Sequence, residues 1–124
     1  MRGIGVAMLT FNGKAVYLCC GHTDMRKSIN GLSALVQSSF DLDPFSEAVF
    51  AFCNRNRDRI KLLEWDKDGF WLYFKRLEKG HIRWPNPGEE PTMILTGEEL
   101  SVLLSGVQVE LKIKRNEVFE RNIF

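Results

Sequence analysis

Cysteine, proline and histidine are all scarce in this chain of 124 residues, which has three, four and two of them. Cys19, Cys20 and Cys53 are odd in number and two are adjacent in an apolar run. That is a poor framework for the disulfides that staple small secreted domains, so reduced, buried thiols are expected. A zinc site would have to recruit Cys20, His22, Cys53 and His81, yet no C-x2-C or H-x3-H spacing places two ligands on one turn. No metal is expected. No apolar run approaches the roughly 18 residues of a membrane span, and the N-terminus lacks the charged, apolar, small-residue order of a signal peptide. A cytoplasmic chain with no membrane partner is expected. Charge of one sign is missing too: 17 Lys and Arg face 16 Asp and Glu, a net +1, and nothing global demands a polyanionic partner. Catalytic signatures are also lacking. There is no G-x-S-x-G, no H-E-x-x-H and no Gly-rich phosphate loop, and Asp24, Asp41, Asp43, Asp58, Asp66 and Asp68 form no convincing acidic pair. The expectation is no enzyme and no cofactor, with a nuclease-like reading last in order because it would need two converging carboxylates.

What is present is an ordinary globular composition, 44% hydrophobic and 11% aromatic, in a length that suits one domain over residues 1–124. Residues 15–20 form a short apolar run between Gly13 and Gly21 and read as a buried strand. Thr23 or Asp24 is placed to cap a helix over 26–39 with Ile29, Leu32, Leu35, Val36 and Phe40 on one face. Arg26 and Lys27 would then lie in its first turn, where the helix dipole disfavours cations, so an anionic partner or Asp24 itself is needed to explain them. Residues 48–53, 59–65 and 70–75 read as three strands of an antiparallel meander, with turns at 54–58 and 66–69, the second using Gly69 for positive φ. The 76–84 stretch is expected to extend the sheet until Pro85 and Pro87 stop it. Thr96 and Glu99 form a capping box ahead of a short helix over about 97–105, closed by Gly106. Residues 107–124 fit an edge strand and then a mobile tail. The predicted class is α+β, a mostly antiparallel sheet of about four to six strands with one main helix packed on it and a short C-terminal helix.

Charge is concentrated locally. Residues 54–83 hold nine cations against five anions, a surplus of four in a chain whose total is +1. A basic hairpin surface interleaved with Trp71, Tyr73 and Trp84 has the ingredients for nucleic-acid contact, cations for phosphates and rings for unstacked bases. The competing reading, which residues alone favour, is a sheet whose rings are core and whose Lys and Arg are its solvated face.

Several strings read together resemble one family. Gly21-His22-Thr23-Asp24-Met25-Arg26-Lys27, with Gly31-Leu32, is similar to the G-x-T-D-M-R-K-x-x-x-G-L signature of TnpB-type accessory proteins encoded by IS sixty-six family insertion sequences. Asp43-Pro44-Phe45-Ser46 resembles the family's D-P-F-S. Arg57 to Leu63 with Trp65, Asp66 and Gly69 resembles its G-D-R-I-K-x-L-x-W-D-x-x-G, and Lys75 to Gly80 with Trp84-Pro85 its K-R-L-E-x-G-x-x-x-W-P. The likeness covers a core of about 15–105. Asn56 stands where a Gly-rich or Arg-rich turn is common, and the tail after Gly106 carries no matching motif. The resemblance implies a small protein encoded beside a separate, larger transposase and needed for full transposition, and it supplies no catalytic residues.

Two functions are weighed. In the first, a non-catalytic transposition factor binds double-stranded DNA at element ends through Arg26, Lys27, Arg55, Arg57, Arg59, Lys61, Lys75 and Arg76, supported by Thr23, Asp24, Asp58, Trp65, Asp66 and Trp84. In the second, an interaction module docks on the transposase or its companion protein through the aromatic face around Trp71 and Tyr73, without touching DNA.

Overall fold

The computed structural model describes residues 11–105. After a 3-10 turn at Phe11–Gly13 come β1 (Ala15–Cys19), α1 (Ile29–Ser38), β2 (Ala48–Cys53), β3 (Arg59–Asp66), β4 (Gly69–Arg76), β5 (Thr92–Leu95) and α2 (Gly97–Leu104). The five strands form one sheet in the order β4-β3-β2-β1-β5. β1 and β2 are parallel, joined by the α1 crossover, and every other pairing is antiparallel. The fold is therefore α+β and mostly antiparallel. No helix of the described residues is long and apolar enough to cross a membrane.

β2 explains the layering. Its sequence Ala-Val-Phe-Ala-Phe-Cys is buried at all six positions, as expected of a central strand covered on both faces. Phe50 and Phe52 point to the face that α1 covers with Leu32 and Val36, joined there by Cys19 and Leu63. Val49, Ala51 and Cys53 point to the other, where Ile60, Leu62, Ile82, Trp84 and the α2 residues Leu100 and Leu104 complete the packing. Truncating either phenylalanine to alanine would cost about 3–5 kcal/mol in lost burial and cavity. α2 forms on its capping box: the Thr96 hydroxyl accepts from the Glu99 N–H at 3.1 Å while the Glu99 carboxylate accepts from the Thr96 N–H at 2.8 Å.

Three expectations need correction, and one strand was not foreseen. α1 begins at Ile29 with Ser28 as its extended N-cap residue, so Arg26 and Lys27 precede the helix and do not occupy its first turn. Asp24 accounts for this, because its carboxylate accepts from the Arg26 N–H and its carbonyl from the Lys27 N–H, closing a turn of its own. The 77–84 stretch does not extend the sheet. It is a loop pinned to the β2–β3 turn by Leu77 N–H to the Asp58 carbonyl and Ile82 N–H to the Arg57 carbonyl, which drops Ile82 and Trp84 into the core. In the β3–β4 hairpin the positive φ falls on Lys67, at 58°, while Gly69 opens β4 opposite Asp66. β5 is an edge strand the sequence reading did not anticipate, four residues wedged between Pro91 and the Thr96 cap and too short for a period to show. The expected edge strand and tail of 107–124 lie outside the described residues, as does Gly106.

Candidate nucleic-acid interface

Sheet alternation puts Arg59, Lys61, Leu63 and Trp65 of β3 on the α1 side, and the hairpin register brings Phe70, Leu72, Phe74 and Arg76 of β4 to the same side. At one end of that face lies an open groove of about 1040 Å³, where residues 22–26, the 54–56 turn and the strands β3 and β4 meet. Its cations are Arg26, Arg55, Arg59 and Lys61, its carboxylate is Asp24, and Leu72 and Phe74 supply its apolar surface.

Each wall is held by identifiable bonds. Buried Thr23 donates its N–H to the Cys53 carbonyl at 2.8 Å, fastening the 22–26 segment to the end of β2. Lys61 Nζ donates to the carbonyls of Met25 and Lys27, both at 2.9 Å, and sits 5.9 Å from the centroid of the Phe74 ring. Arg26 grips both carboxylate oxygens of Asp24, with Nη2 to Oδ2 at 2.8 Å. Those bonds hold the Asp24 carboxyl well below its usual range and raise the guanidinium. On the opposite wall the Asn54 side chain closes the turn: its Oδ1 accepts from the N–H groups of Asp58 and Arg59, and its Nδ2 donates to Asp58 Oδ1 at 2.8 Å. The Asn54 bond is the chief cause of the lowered Asp58 carboxyl, with the Arg59 ion pair at 3.2 Å adding to it.

The structure thus gathers four of the eight candidate cations in the groove and leaves the other four outside its lining. Arg76 faces Arg59 directly across the β3–β4 ladder, and like charges so placed repel. Each has an acidic neighbour that offsets this, Glu78 for Arg76 at 2.8 Å and Asp58 for Arg59. Lys27 contributes its carbonyl to Lys61. Arg57 is exposed on the turn outside the groove, with φ 60°. Lys75 points to the other face of the sheet, where Nζ donates to the Leu104 carbonyl at the end of α2, a favourable place for a cation.

Trp71 and Tyr73 also lie on that other face. Trp71 is 55% exposed and stacks on Tyr73 at 6.4 Å, with its indole N–H donated to Asp66 Oδ2. Tyr73 donates its hydroxyl to Glu64, which also accepts from Lys14 at 2.9 Å. Burial, and then Glu64, push the Tyr73 phenol up to about 12. Trp65 packs edge-on to Phe45 and Phe70, both at 5.0 Å. Trp84 is buried and donates its indole N–H to the Cys19 carbonyl at 3.0 Å. Among the described residues no group of three His, Cys, Asp or Glu could hold a metal. Burial raises all three thiols, Cys53 to about 12.

Sequence reasoning missed Phe74 and Asn54. The signal for Phe74 was present: a two-residue hairpin loop between Asp66 and Gly69 fixes the register that pairs position 74 with Lys61. Asn54 four residues before Asp58 is a weaker cue, legible only once the turn is known.

Comparison with known proteins places the chain in a family. The chain is 35% identical over 92 residues, 74% of its length and 79% of the relative's, to uncharacterized protein y4hO of Sinorhizobium fredii. It is 32% identical over 106 residues, 86% of its length and 89% of the relative's, to uncharacterized protein y4jC of the same organism. No solved structure matches it significantly. The family profile described as IS66 Orf2 like protein matches residues 14–114, taking in both walls of the groove and every described strand, and on that match the chain belongs to the IS66 Orf2-like family, which is associated with transposition.

Proposed function

We propose that this chain is a non-catalytic accessory protein of insertion-sequence transposition, acting beside a transposase and binding element DNA through the basic groove. One observation carries the reading: Arg26 from the loop before α1 and Arg55, Arg59 and Lys61 from the β2–β3 turn and the strand it feeds line one concave surface. Cations so grouped suit a phosphate backbone better than the even scatter of a merely solvated face. The test is fluorescence anisotropy of the full chain with labelled element-end duplex and scrambled duplex over a range of salt. Neutralising four phosphates gives a slope of log K against log salt of about −4. A flat dependence, or no binding, would overturn the reading.

A second reading has its own support in the exposed Trp71 on the opposite face. There the chain docks on the transposase or its companion protein, and Trp71→Ser is expected to abolish capture of purified transposase while DNA affinity is retained.

A further inference from the structure

The groove holds a ring that core packing does not use. Phe74 is 55% exposed, while Phe70 and Leu72, on the same face of β4, pack against the core beneath α1. Its cross-strand neighbour is Lys61, whose ammonium lies 5.9 Å from the ring centroid, and Arg59, Arg26 and Arg55 line the same hollow. A single exposed phenylalanine is unremarkable on its own. A ring among four cations in a concave surface is different, because each part of an unpaired nucleotide then has a counterpart: phosphates for the cations, a base face for the ring. A fully paired duplex keeps its base faces stacked within itself and offers Phe74 only backbone.

Resting on the DNA-binding reading above, we propose that the groove takes single-stranded DNA, with one unpaired base stacked on Phe74 and the flanking phosphates on Arg26, Arg55, Arg59 and Lys61. The chain would therefore prefer DNA with a frayed or overhanging end to the same sequence fully paired.

The experiment is an anisotropy titration of the full chain against three labelled DNAs: a blunt duplex, that duplex with a short single-stranded overhang, and the single strand. The overhang and the single strand are expected to bind at least about five-fold tighter than the blunt duplex. Phe74→Ala is expected to cost more affinity for the overhang and the single strand than for the blunt duplex, so that the preference is lost, Phe74→Trp to keep it, and Arg59→Ala to weaken all three DNAs. Circular dichroism checks that each variant is folded, and quenching of the new indole in Phe74→Trp by single-stranded DNA reports stacking directly. Equal affinity for all three DNAs, a parallel loss on all three in Phe74→Ala, or tighter binding of single-stranded RNA of the same sequence would overturn the proposal while leaving DNA binding intact. Failure to bind any DNA would overturn both readings.

Discussion

Lys61 and Met25 lie 36 positions apart and are joined by a 2.9 Å hydrogen bond from the Lys61 ammonium to the Met25 carbonyl. With its second bond to the Lys27 carbonyl, Lys61 positions the loop that carries Arg26 as well as adding its own charge. Lys61→Met keeps the apolar stem and removes the donors. It is expected to lower stability by about 2 kcal/mol in urea unfolding and to speed amide exchange in the loop before α1. An unchanged midpoint would mean that the two bonds carry no energetic weight.

Gly21 has φ +83° and donates its N–H to the Pro85 carbonyl, and a Cβ there would meet Pro87 Cγ at 3.1 Å. Gly21→Ala therefore combines left-handed strain with crowding against a rigid ring, an expected loss of about 1–2 kcal/mol in a thermal or denaturant melt. Gly13 is the control. Its φ is also positive, at +80°, but nothing lies within 4 Å, so Gly13→Ala is expected to lose less.

Arg57 adopts φ 60° where the family's G-D-R-I-K pattern has glycine. Arg57→Gly relieves the side-chain strain while adding freedom to the unfolded chain, so stability is expected to stay level or rise by up to about 1 kcal/mol. Because Arg57 lies outside the groove, the salt slope of DNA binding is expected not to change, whereas Arg59→Ala should make it shallower by about 1. A shallower slope for Arg57→Gly would enlarge the interface to include this turn.

Tyr73 supplies a pH signature. Its phenol is raised from 10.0 to about 12 in the folded chain, so the neutral form is the one folding favours. The corresponding stability is complete below pH 10.0, the unfolded value, and is lost as pH rises toward about 12. Absorbance titration at alkaline pH is expected to show this tyrosine ionising late, and Glu64→Gln should bring it down. A late tyrosine that ignores Glu64→Gln would leave burial and the nearby Asp66 charge as the causes.

The elements whose signal is local were legible in the sequence. The six-residue apolar run of β2, the Lys67-Asp68 hairpin and the Thr96–Glu99 box each announce themselves within a few residues, and each forms where expected. What was not legible depends on contacts between distant segments. Asp24 looked like a helix cap because a cap and an Asx-type turn use the same side chain over the same few residues, and only the extended Ser28 decides between them. Ile82 and Trp84 alternate like a strand, yet it is the Arg57 carbonyl that holds Ile82 N–H. The groove had been half visible as a basic meander. That Arg26 joins it follows from the Thr23–Cys53 and Lys61–Met25 bonds, which no spacing encodes.

The parallel pairing of β1 with β2 has a kinetic consequence. Hairpins β2–β3 and β3–β4 close over short stretches of chain, whereas β1 can pair with β2 only after α1 has crossed the sheet. Arg55, Arg59 and Lys61 are thus brought together early, and Arg26 arrives with the crossover. A chain caught partway through refolding holds a cationic hairpin with no facing wall, so the groove is complete only once the crossover is, and its second wall reports a native molecule.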